Sequence, residues 1–491
     1  MSLLHSLGFR TKARKNSPPL FLHNTLSGEK EVFTPLKDTA VRMYNCGPTV
    51  YDTQHIGNMR SYVFADILRR TLEWNGYAVT QVVNITDVGH LVSDADEGAD
   101  KLEKAAAKSG KRAQDIAQEV TERFLSDLRA LSVNTDAIVF PKATDHIREQ
   151  IALIRTLEEK GYTYKTKDGV YFDTARFPRY GKLGGIALAG LKEGARVEEN
   201  KEKRNPTDFA LWKFSPKGAK RQQEWESPWG VGFPGWHIEC SAMAMKYLGK
   251  TFDIHTGGID HIPIHHNNEI AQSEAATGKP FVRYWLHNAF ITIDGQKISK
   301  SIGNTVFVSD IVERGLSPLA YRYFLLTAHY RSPLNFTWDA LAGAQTALLR
   351  LYRHTIACGE AVGTVNENYR KQFIAFINAD LDTPKALALV WDMLSDDTVS
   401  PADLCATLLD FDRILGLGLS SANDKTLNAL EGGVAADDAP EEVRVLLRLR
   451  AEARFAKDFA KADELREAIR KAGYEVTDAE NSEQRLTKIL R

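Results

Sequence analysis

The chain is poor in cysteine, has no long apolar run and has no excess of charge of either sign. Its 491 residues hold four cysteines: Cys46, Cys240, Cys358 and Cys405. That is too few for a disulfide scaffold and fits a reducing compartment, so a cytoplasmic location is expected. No stretch of about eighteen apolar residues occurs, which excludes a membrane-spanning helix from the expectation. Lys and Arg number 63 against 64 Asp and Glu, a formal net charge of −1. A nucleic-acid partner is therefore not written in the overall charge, and any phosphate-binding surface must be a local patch. Residues 1–28 contain no acid but carry Arg10, Lys12, Arg14 and Lys15. They lack the apolar segment of a secretory signal and read as a basic N-terminal tail rather than a targeting peptide.

What is present is an apolar fraction of 43% and a charged fraction of 26%, ordinary for a globular protein, in a chain too long for one core. Val41 to Tyr44 predicts a short strand, and Asn45-Cys46-Gly47-Pro48-Thr49 a turn. A helix follows from Asn58 to Asn75, with Val63, Phe64, Ile67, Leu68 and Leu72 on its buried face and Gly76 as its stop. Ala78 to Ile85 reads as the next strand, and this β-α-β order argues for a parallel sheet with ligand at the strands' carboxyl ends. Residues 111–160 read as helical. A hairpin around Asp168-Gly169 opens a Gly-, Pro- and Trp-rich insertion at about 160–230. The α/β pattern resumes at Trp236, with a helix finishing over Ala242–Leu248, a strand at Thr251–His255, a helix at Pro263–Ala276 and a strand at Val282–Ile293. A polar loop spans Gln296–Asn304. From Ser309 the pattern is almost all helix, with Thr383-Pro384 starting one of them, a linker at 419–440 and a charged helical stretch at 441–475.

Four groups of residues could carry chemistry. His55-Ile56-Gly57-Asn58 lies in a strand-to-helix turn, where an imidazole beside a helix N-terminus can meet developing phosphate charge and Gly57 allows close backbone approach. Lys297-Ile298-Ser299-Lys300-Ser301 puts two lysines on a loop that could follow a triphosphate. His265 and Glu269 share one helix face, and with Cys46 and Cys240 would offer two sulfurs, a nitrogen and an oxygen, a set zinc accepts. Gly258-Ile259-Asp260 puts an acid just past a strand, where ribose hydroxyls bind in α/β sheets. Taken singly, each has a plainer reading: a surface histidine, a solvated basic turn, buried structural thiols, a turn aspartate.

Together they resemble class I aminoacyl-tRNA synthetases. His55-Ile-Gly-Asn58 looks like the HIGH signature and Lys297-Ile-Ser-Lys-Ser301 like KMSKS, in the right order and roughly 240 residues apart. The flanks resemble the cysteinyl-tRNA synthetase family: Tyr44-Asn-Cys-Gly-Pro-Thr-Val-Tyr-Asp52, Asn84-Ile-Thr-Asp87, Gly235-Trp-His-Ile-Glu-Cys-Ser-Ala-Met243, Asp253-Ile-His-Thr-Gly-Gly-Ile-Asp260 and His265-His-Asn-Asn-Glu-Ile-Ala-Gln272. The likeness continues through Ala328-His-Tyr-Arg-Ser332, Asp380-Leu-Asp-Thr-Pro384 and Ala453 to Asp463. Asn58 stands where the signature ends in His, Ile298 replaces Met, and the tail after Asp478 departs from the family.

The resemblance implies one zinc per chain on Cys46, Cys240, His265 and Glu269. It implies catalysis by His55, Asn58, Lys297 and Lys300, ATP binding by His55, Gly57, Asn58, Gly258, Asp260 and Lys300, and a cysteine pocket lined by Thr49 and Trp236. ATP with Mg²⁺, L-cysteine and tRNA(Cys) are the implied substrates, and a monomer is expected. The implied α/β architecture is an N-terminal tail (1–35) and a Rossmann-like catalytic domain with a parallel sheet (36–300). A stem-contact segment (301–338), an all-α helical bundle (339–418), a linker (419–440) and a small C-terminal anticodon-binding domain (441–491) follow. Two other activities compete: a related ligase joining cysteine to an amino sugar in mycothiol synthesis, and a zinc-binding regulatory paralogue without catalysis. The helical region after Asn335 and the C-terminal segment argue against the first. The two signature lysines and the four implied ligands argue against the second.

Overall fold

The computed structural model describes residues 18–89, 101–185, 202–216, 221–359, 362–431, 433–434, 439–478 and 484–488. Arg10, Lys12, Arg14 and Lys15 lie outside these residues. The chain forms two compact units.

The first unit runs to Thr292 and takes in Ala328–Leu334 and Lys371–Leu387. It opens with an antiparallel hairpin, β1 (Phe21–Asn24) and β2 (Glu29–Val32). This part of the expected tail is packed structure: Leu22 is 0% exposed and Thr25 N–H donates to Trp285 O at 2.8 Å. The short alternation of Leu20 and Leu22 had too few residues to stand out in the sequence.

Strand β3 (Ala40–Asn45), helix α1 (Ile56–Trp74) and strand β4 (Ala78–Val83) form the expected β-α-β unit. Val63, Phe64, Ile67, Leu68 and Leu72 are buried along α1, and Gly76 ends it with φ +94°. Helices α2 (Lys101–Ser109) and α3 (Ala113–Ala130) lead to β5 (Ile138–Val139), which pairs parallel with β4, and then α4 (Ile147–Glu159). The all-helical expectation for 111–160 missed β5, whose two residues are too few to show a period.

The insertion contributes a four-stranded antiparallel sheet of β6 (Thr163–Lys165), β7 (Gly169–Phe172), β8 (Phe209–Phe214) and β9 (Gly232–Pro234). Helix α5 (Trp236–Leu248), strand β10 (Phe252–Gly258), helix α6 (Asn267–Thr277) and strand β11 (Val282–Asn288) complete the core. The central sheet runs β11-β10-β3-β4-β5, all parallel. The chain builds outward from β3 to β5, then restarts on the other side at β10. The crevice between β3 and β10 is therefore the topological switch point, where such sheets bind ligands.

The expected strand Val282–Ile293 is two strands. After Asn288 the chain breaks, and β12 (Ile291–Ile293) belongs to another sheet with β13 (Gln296–Lys297) and β14 (Leu334–Phe336). Arg60 on α1 sits at this break. Its guanidinium donates to the carbonyls of Ala289 (3.0 Å), Phe290 (2.8 Å), His329 (3.2 Å) and Ser332 (2.7 Å), tying the two segments to α1.

The second unit comprises 293–327, 335–370 and the residues from 388 onward. In chain order the remaining helices are α7 (Val308–Glu313), α8 (Pro318–Leu326), α9 (Trp338–Ala357), α10 (Glu367–Ile377), α11 (Thr383–Leu394), α12 (Pro401–Leu415) and α13 (Asp424–Leu430). Strand β15 (Gly433–Val434), helices α14 (Glu441–Phe455) and α15 (Phe459–Lys471), and strands β16 (Tyr474–Asp478) and β17 (Gln484–Lys488) end the fold. The stretch 419–440 thus contains α13 and β15 rather than linker alone. The charged stretch expected to be helical at 441–475 holds α14 and α15, and the C-terminus adds an antiparallel sheet of β15, β17 and β16 that the sequence pattern did not indicate. Val476 and Leu486 pack from that sheet against Val443, Leu447 and Ile469, so the helix pair gains a sheet to cover its apolar side.

Within the first unit, Asp380 ties three segments together. It is 1% exposed and accepts from His23 N–H (2.9 Å), Tyr330 O–H (2.7 Å) and Arg331 Nε–H (2.9 Å). Its φ of +77° and that of Leu381, +57°, are held by these contacts. Replacing Asp380 with Ala is expected to lower stability by about 3 kcal/mol, because charged hydrogen bonds are lost from a closed interior. Urea unfolding should show a lower midpoint with an unchanged slope, and an unmoved midpoint would contradict the assignment.

Candidate active site

The turn after β3 sets the first side chain. A Cβ at Gly47 would lie 1.5 Å from Asn84 O, so only glycine permits this approach. Gly47 N–H donates to the Asn84 side chain at 2.8 Å, and Val50 N–H to Thr86 O at 3.1 Å. Cys46 is thereby fixed at the mouth of the switch point, and Thr49, half-buried, bridges to Thr86.

Cys240 comes from the second turn of α5, which begins at Trp236 and not merely over Ala242–Leu248. His265 and Glu269 come from the start of α6. The sequence expects an ordinary helix from Pro263, but Ile262–His266 is a π turn. Its wider winding buries His265 and His266 side by side.

The ligand atoms of Cys46, Cys240, His265 and Glu269 all lie within 4.8 Å of one another. Cys46, His255, His266 and Glu269 meet the same limit, sharing Cys46 and Glu269. His265 Nε2 is 3.0 Å from Glu269 Oε1, and His255 Nε2 is 3.1 Å from Oε2. His237 Nδ1 and His265 Nδ1 are 2.9 Å apart. A chain of polar contacts runs from Thr25 Oγ1 to His287 (2.7 Å), His287 to His266 (2.7 Å) and His266 to Cys46 Sγ (3.2 Å).

The electrostatics of this cluster ask for a cation. A hydrogen bond from Cys46 holds the Cys240 thiol down to about 7, against burial. Burial pushes Glu269 up, but His255 and His265 outweigh it and bring the carboxyl to about 2. Burial pushes His265 down, yet Cys240 and Glu269 raise it to about 10. Cys240 and Glu269 thus favour a proton on the His265 imidazole between them, in a cluster whose donor atoms could hold a metal ion. Burial lowers His261 to about 4 and also lowers His266 and His287, so these rings are neutral.

Trp236 is half-buried, its ring 4.4 Å from that of His265. Asp260 is exposed just past β10, and its carboxylate folds back so closely that a Cβ at Gly258 would lie 2.2 Å from Oδ1. His55 caps α1: its Nδ1 accepts from Asn58 N–H at 3.2 Å, while Asn58 Oδ1 accepts from His55 N–H at 3.2 Å. The helix therefore starts at Ile56 instead of Asn58, and Asn58 works here as a capping partner. Because Nδ1 accepts, the neutral ring carries its proton on Nε2; burial lowers its pKa further. Lys297 and Lys300 belong to the second unit, where both are exposed. Asn304 staples their loop, accepting from Ser299 N–H at 2.9 Å and donating to Lys297 O at 3.0 Å.

The sequence reading missed Asn304 and the histidines His237, His255, His261, His266 and His287 around the cluster. A signal existed: six of the thirteen histidines fall between residues 237 and 287.

Residues 32–346 match the family described as the class I (C) tRNA synthetase catalytic domain, and residues 436–485 match the cysteinyl-tRNA ligase anticodon binding domain. The fold is similar to that of Mycobacterium tuberculosis methionyl-tRNA synthetase in complex with methionyl-adenylate, with a TM-score of 0.55 at 15% identity, covering 82% of this chain and 95% of that one. It is also similar to the leucyl enzyme of Agrobacterium radiobacter K84 in a ternary complex with tRNA, with a TM-score of 0.55 at 13% identity over 81% of this chain and 86% of that one. A parallel sheet with an insertion and this catalytic-domain match define a class I aminoacyl-tRNA synthetase. The curated relatives narrow the class. The chain is 53% identical to cysteine–tRNA ligase 1 of Burkholderia lata, covering 94% of this chain and 95% of the relative. It is 43% identical to the cysteine–tRNA ligase of Treponema denticola, covering 94% and 98%. The chain belongs to the cysteine–tRNA ligase family, enzymes that join cysteine to tRNA. Among the described residues, no helix is long and apolar enough to cross a membrane.

The reciprocal cap at α1 yields a direct expectation. Asn58→Ala should cost about 1 kcal/mol, as loss of a cap does. Thermal unfolding checks this, and an unchanged midpoint would show that His55 caps the helix alone.

Proposed function

We propose that the chain activates L-cysteine with ATP and transfers it to tRNA(Cys), with one zinc ion on Cys46, Cys240, His265 and Glu269 selecting the substrate thiol. The observation that carries the metal reading is the buried set of two sulfurs, one nitrogen and one oxygen within 4.8 Å, a donor set suited to zinc. The set containing His255 and His266 is the weaker choice, because it leaves out Cys240, the thiol held down to about 7, and offers one sulfur instead of two. They serve better as outer partners that orient the ligands, as does His237. Bound there, zinc supplies a Lewis acid that favours thiolate sulfur over alcohol oxygen. An apolar pocket alone separates substrates differing by one small group by only about 1–3 kcal/mol. Trp236 and Thr49 line the cysteine pocket beside this contact.

In the first step a cysteine carboxylate oxygen attacks the α-phosphorus of ATP, and pyrophosphate leaves with the bonding pair. In the second, the terminal 2′-hydroxyl of tRNA attacks the adenylate carbonyl and AMP leaves. His55 donates from Nε2 to the α-phosphate at the positive end of the α1 dipole. Gly57 lets the backbone approach the nucleotide closely, and Asn58 N–H, bonded to His55 Nδ1, leaves Nε2 for the phosphate. Gly258 and Asp260 take the ribose. Lys297 and Lys300 neutralise the departing phosphates, with Mg²⁺ accompanying ATP. No protein nucleophile is needed; positioning and charge carry the rate.

Residues 36–300 act as the catalytic domain, 301–338 as the stem contact, 339–418 as the helical bundle and 441–491 as the anticodon reader, in a cytoplasmic monomer. On the last of these, Arg444 pairs with Glu441 and Arg454 with Asp478. That leaves Arg448 and Lys457, both exposed, for phosphates. Phe455 and Phe459 are 94% and 60% exposed at the α14–α15 turn, and exposed rings beside cations suit base stacking.

Three outcomes are expected. In cobalt-substituted enzyme, cysteine but not serine should raise the sulfur-to-metal charge-transfer band; a spectrum unmoved by saturating cysteine would falsify thiolate coordination. Lys300→Ala should slow single-turnover adenylate formation by ~10²–10³, with cysteine binding nearly intact; near-normal activation sinks the role. Phe459→Ala should weaken tRNA binding by about 1–3 kcal/mol, read as a higher KM in charging, while cysteine-dependent pyrophosphate exchange is unchanged. An unaltered KM removes Phe459 from the tRNA surface.

A further inference from the structure

Two cysteines stand apart from the proposed metal set. Cys358 is the C-cap of α9, and Cys405 lies on the second turn of α12. Cys358 Sγ is 3.1 Å from His354 O and 3.7 Å from Pro401 O, the carbonyl one turn before Cys405. Cys405 Sγ is 4.0 Å from Thr355 O, about one turn before Cys358. Each sulfur therefore touches the backbone of the other's helix, and both sit in one gap between the two helix ends. The segment after α9 is also fastened to α12. Beyond α9, Thr364 N–H donates to Asp403 Oδ1 at 2.6 Å and Asn366 N–H to Thr407 Oγ1 at 2.8 Å, so the chain is laid along the first turns of α12. Cys358 is half-buried and Cys405 buried, and neither is in a disulfide. Burial, with a hydrogen bond to Cys358, pushes the Cys405 thiol up to about 12.

We infer that Cys358 and Cys405 form a peroxide-responsive dithiol, closing to a reversible disulfide that ties the end of α9 to the start of α12. Cys358, the sulfur that solvent reaches, attacks as thiolate on a hydroperoxide oxygen. The O–O bond breaks, hydroxide or alkoxide leaves with the electron pair and takes up the proton that Cys358 gave to solvent, and Cys358 becomes a sulfenic acid. The Cys405 sulfur then attacks Cys358 sulfur. The S–S bond forms, and the sulfenic hydroxyl leaves as water with the Cys405 proton. The two thiols lose two electrons and the peroxide gains them. Cys405 stays a protected thiol until its partner is oxidised, which makes it the resolving residue.

The test uses zinc-loaded, full-length protein treated with hydrogen peroxide, alkylated in denaturant and digested for mass spectrometry. The expected result is a peptide joining Cys358 to Cys405, two fewer alkylatable thiols, and full reversal by dithiothreitol. In Cys405→Ser, dimedone should label Cys358; in Cys358→Ser, at the half-exposed position, Cys405 should stay alkylatable after the same treatment. Both cysteines remaining alkylated in the oxidised wild type would overturn the inference. So would a crosslink to Cys46 or Cys240, or Cys358 oxidised onward to sulfinic acid with no linked peptide.

Discussion

Glu269 is a carboxylate with no exposure, ionised in the interior because His255 and His265 face its two oxygens. An isolated buried carboxylate is expensive, and pairing is what makes this one tolerable. The rest of the site follows from that pairing. Cys240, its thiol held down to about 7, and Glu269 both favour positive charge on His265 between them. The π turn at Ile262–His266 is the backbone's accommodation to it. His265 and His266 are both buried in that turn.

Around this centre the scaffold works by rigid attachment. Gly47 lets the β3 turn press onto Asn84, which fixes Cys46. Arg60, on the helix capped by His55, gathers four carbonyls from two distant segments. Asp380 binds the 328–332 segment and the N-terminal hairpin to one another. The chemistry proposed for the site demands such stiffness, because no covalent intermediate with the protein is formed and the rate depends on positioning. The cysteine–tRNA ligase relatives match along nearly the whole chain, so catalytic and tRNA-facing parts are inherited together. The fold likeness to methionyl and leucyl enzymes, at 13–15% identity, extends to architecture alone.

The sequence by itself determined the β-α-β core, the α1 burial face, the β6–β7 hairpin and the family. In each case the cause is local: side-chain period, a glycine stop, or contiguous signature residues. It also nominated Cys46, Cys240, His265 and Glu269, as a donor set that zinc accepts and then through resemblance, although residues 46 and 240 have no local reason to meet. The tertiary structure alone decided that they do meet, because β3, α5 and α6 converge at a switch point that no sequence window contains. It decided as well that Asn58 is half of a reciprocal cap, that the 282–293 strand is two, and that 474–478 and 484–488 are paired strands. Those outcomes depend on carbonyls and apolar faces supplied by segments far away in the chain, and periodicity carries no information about them.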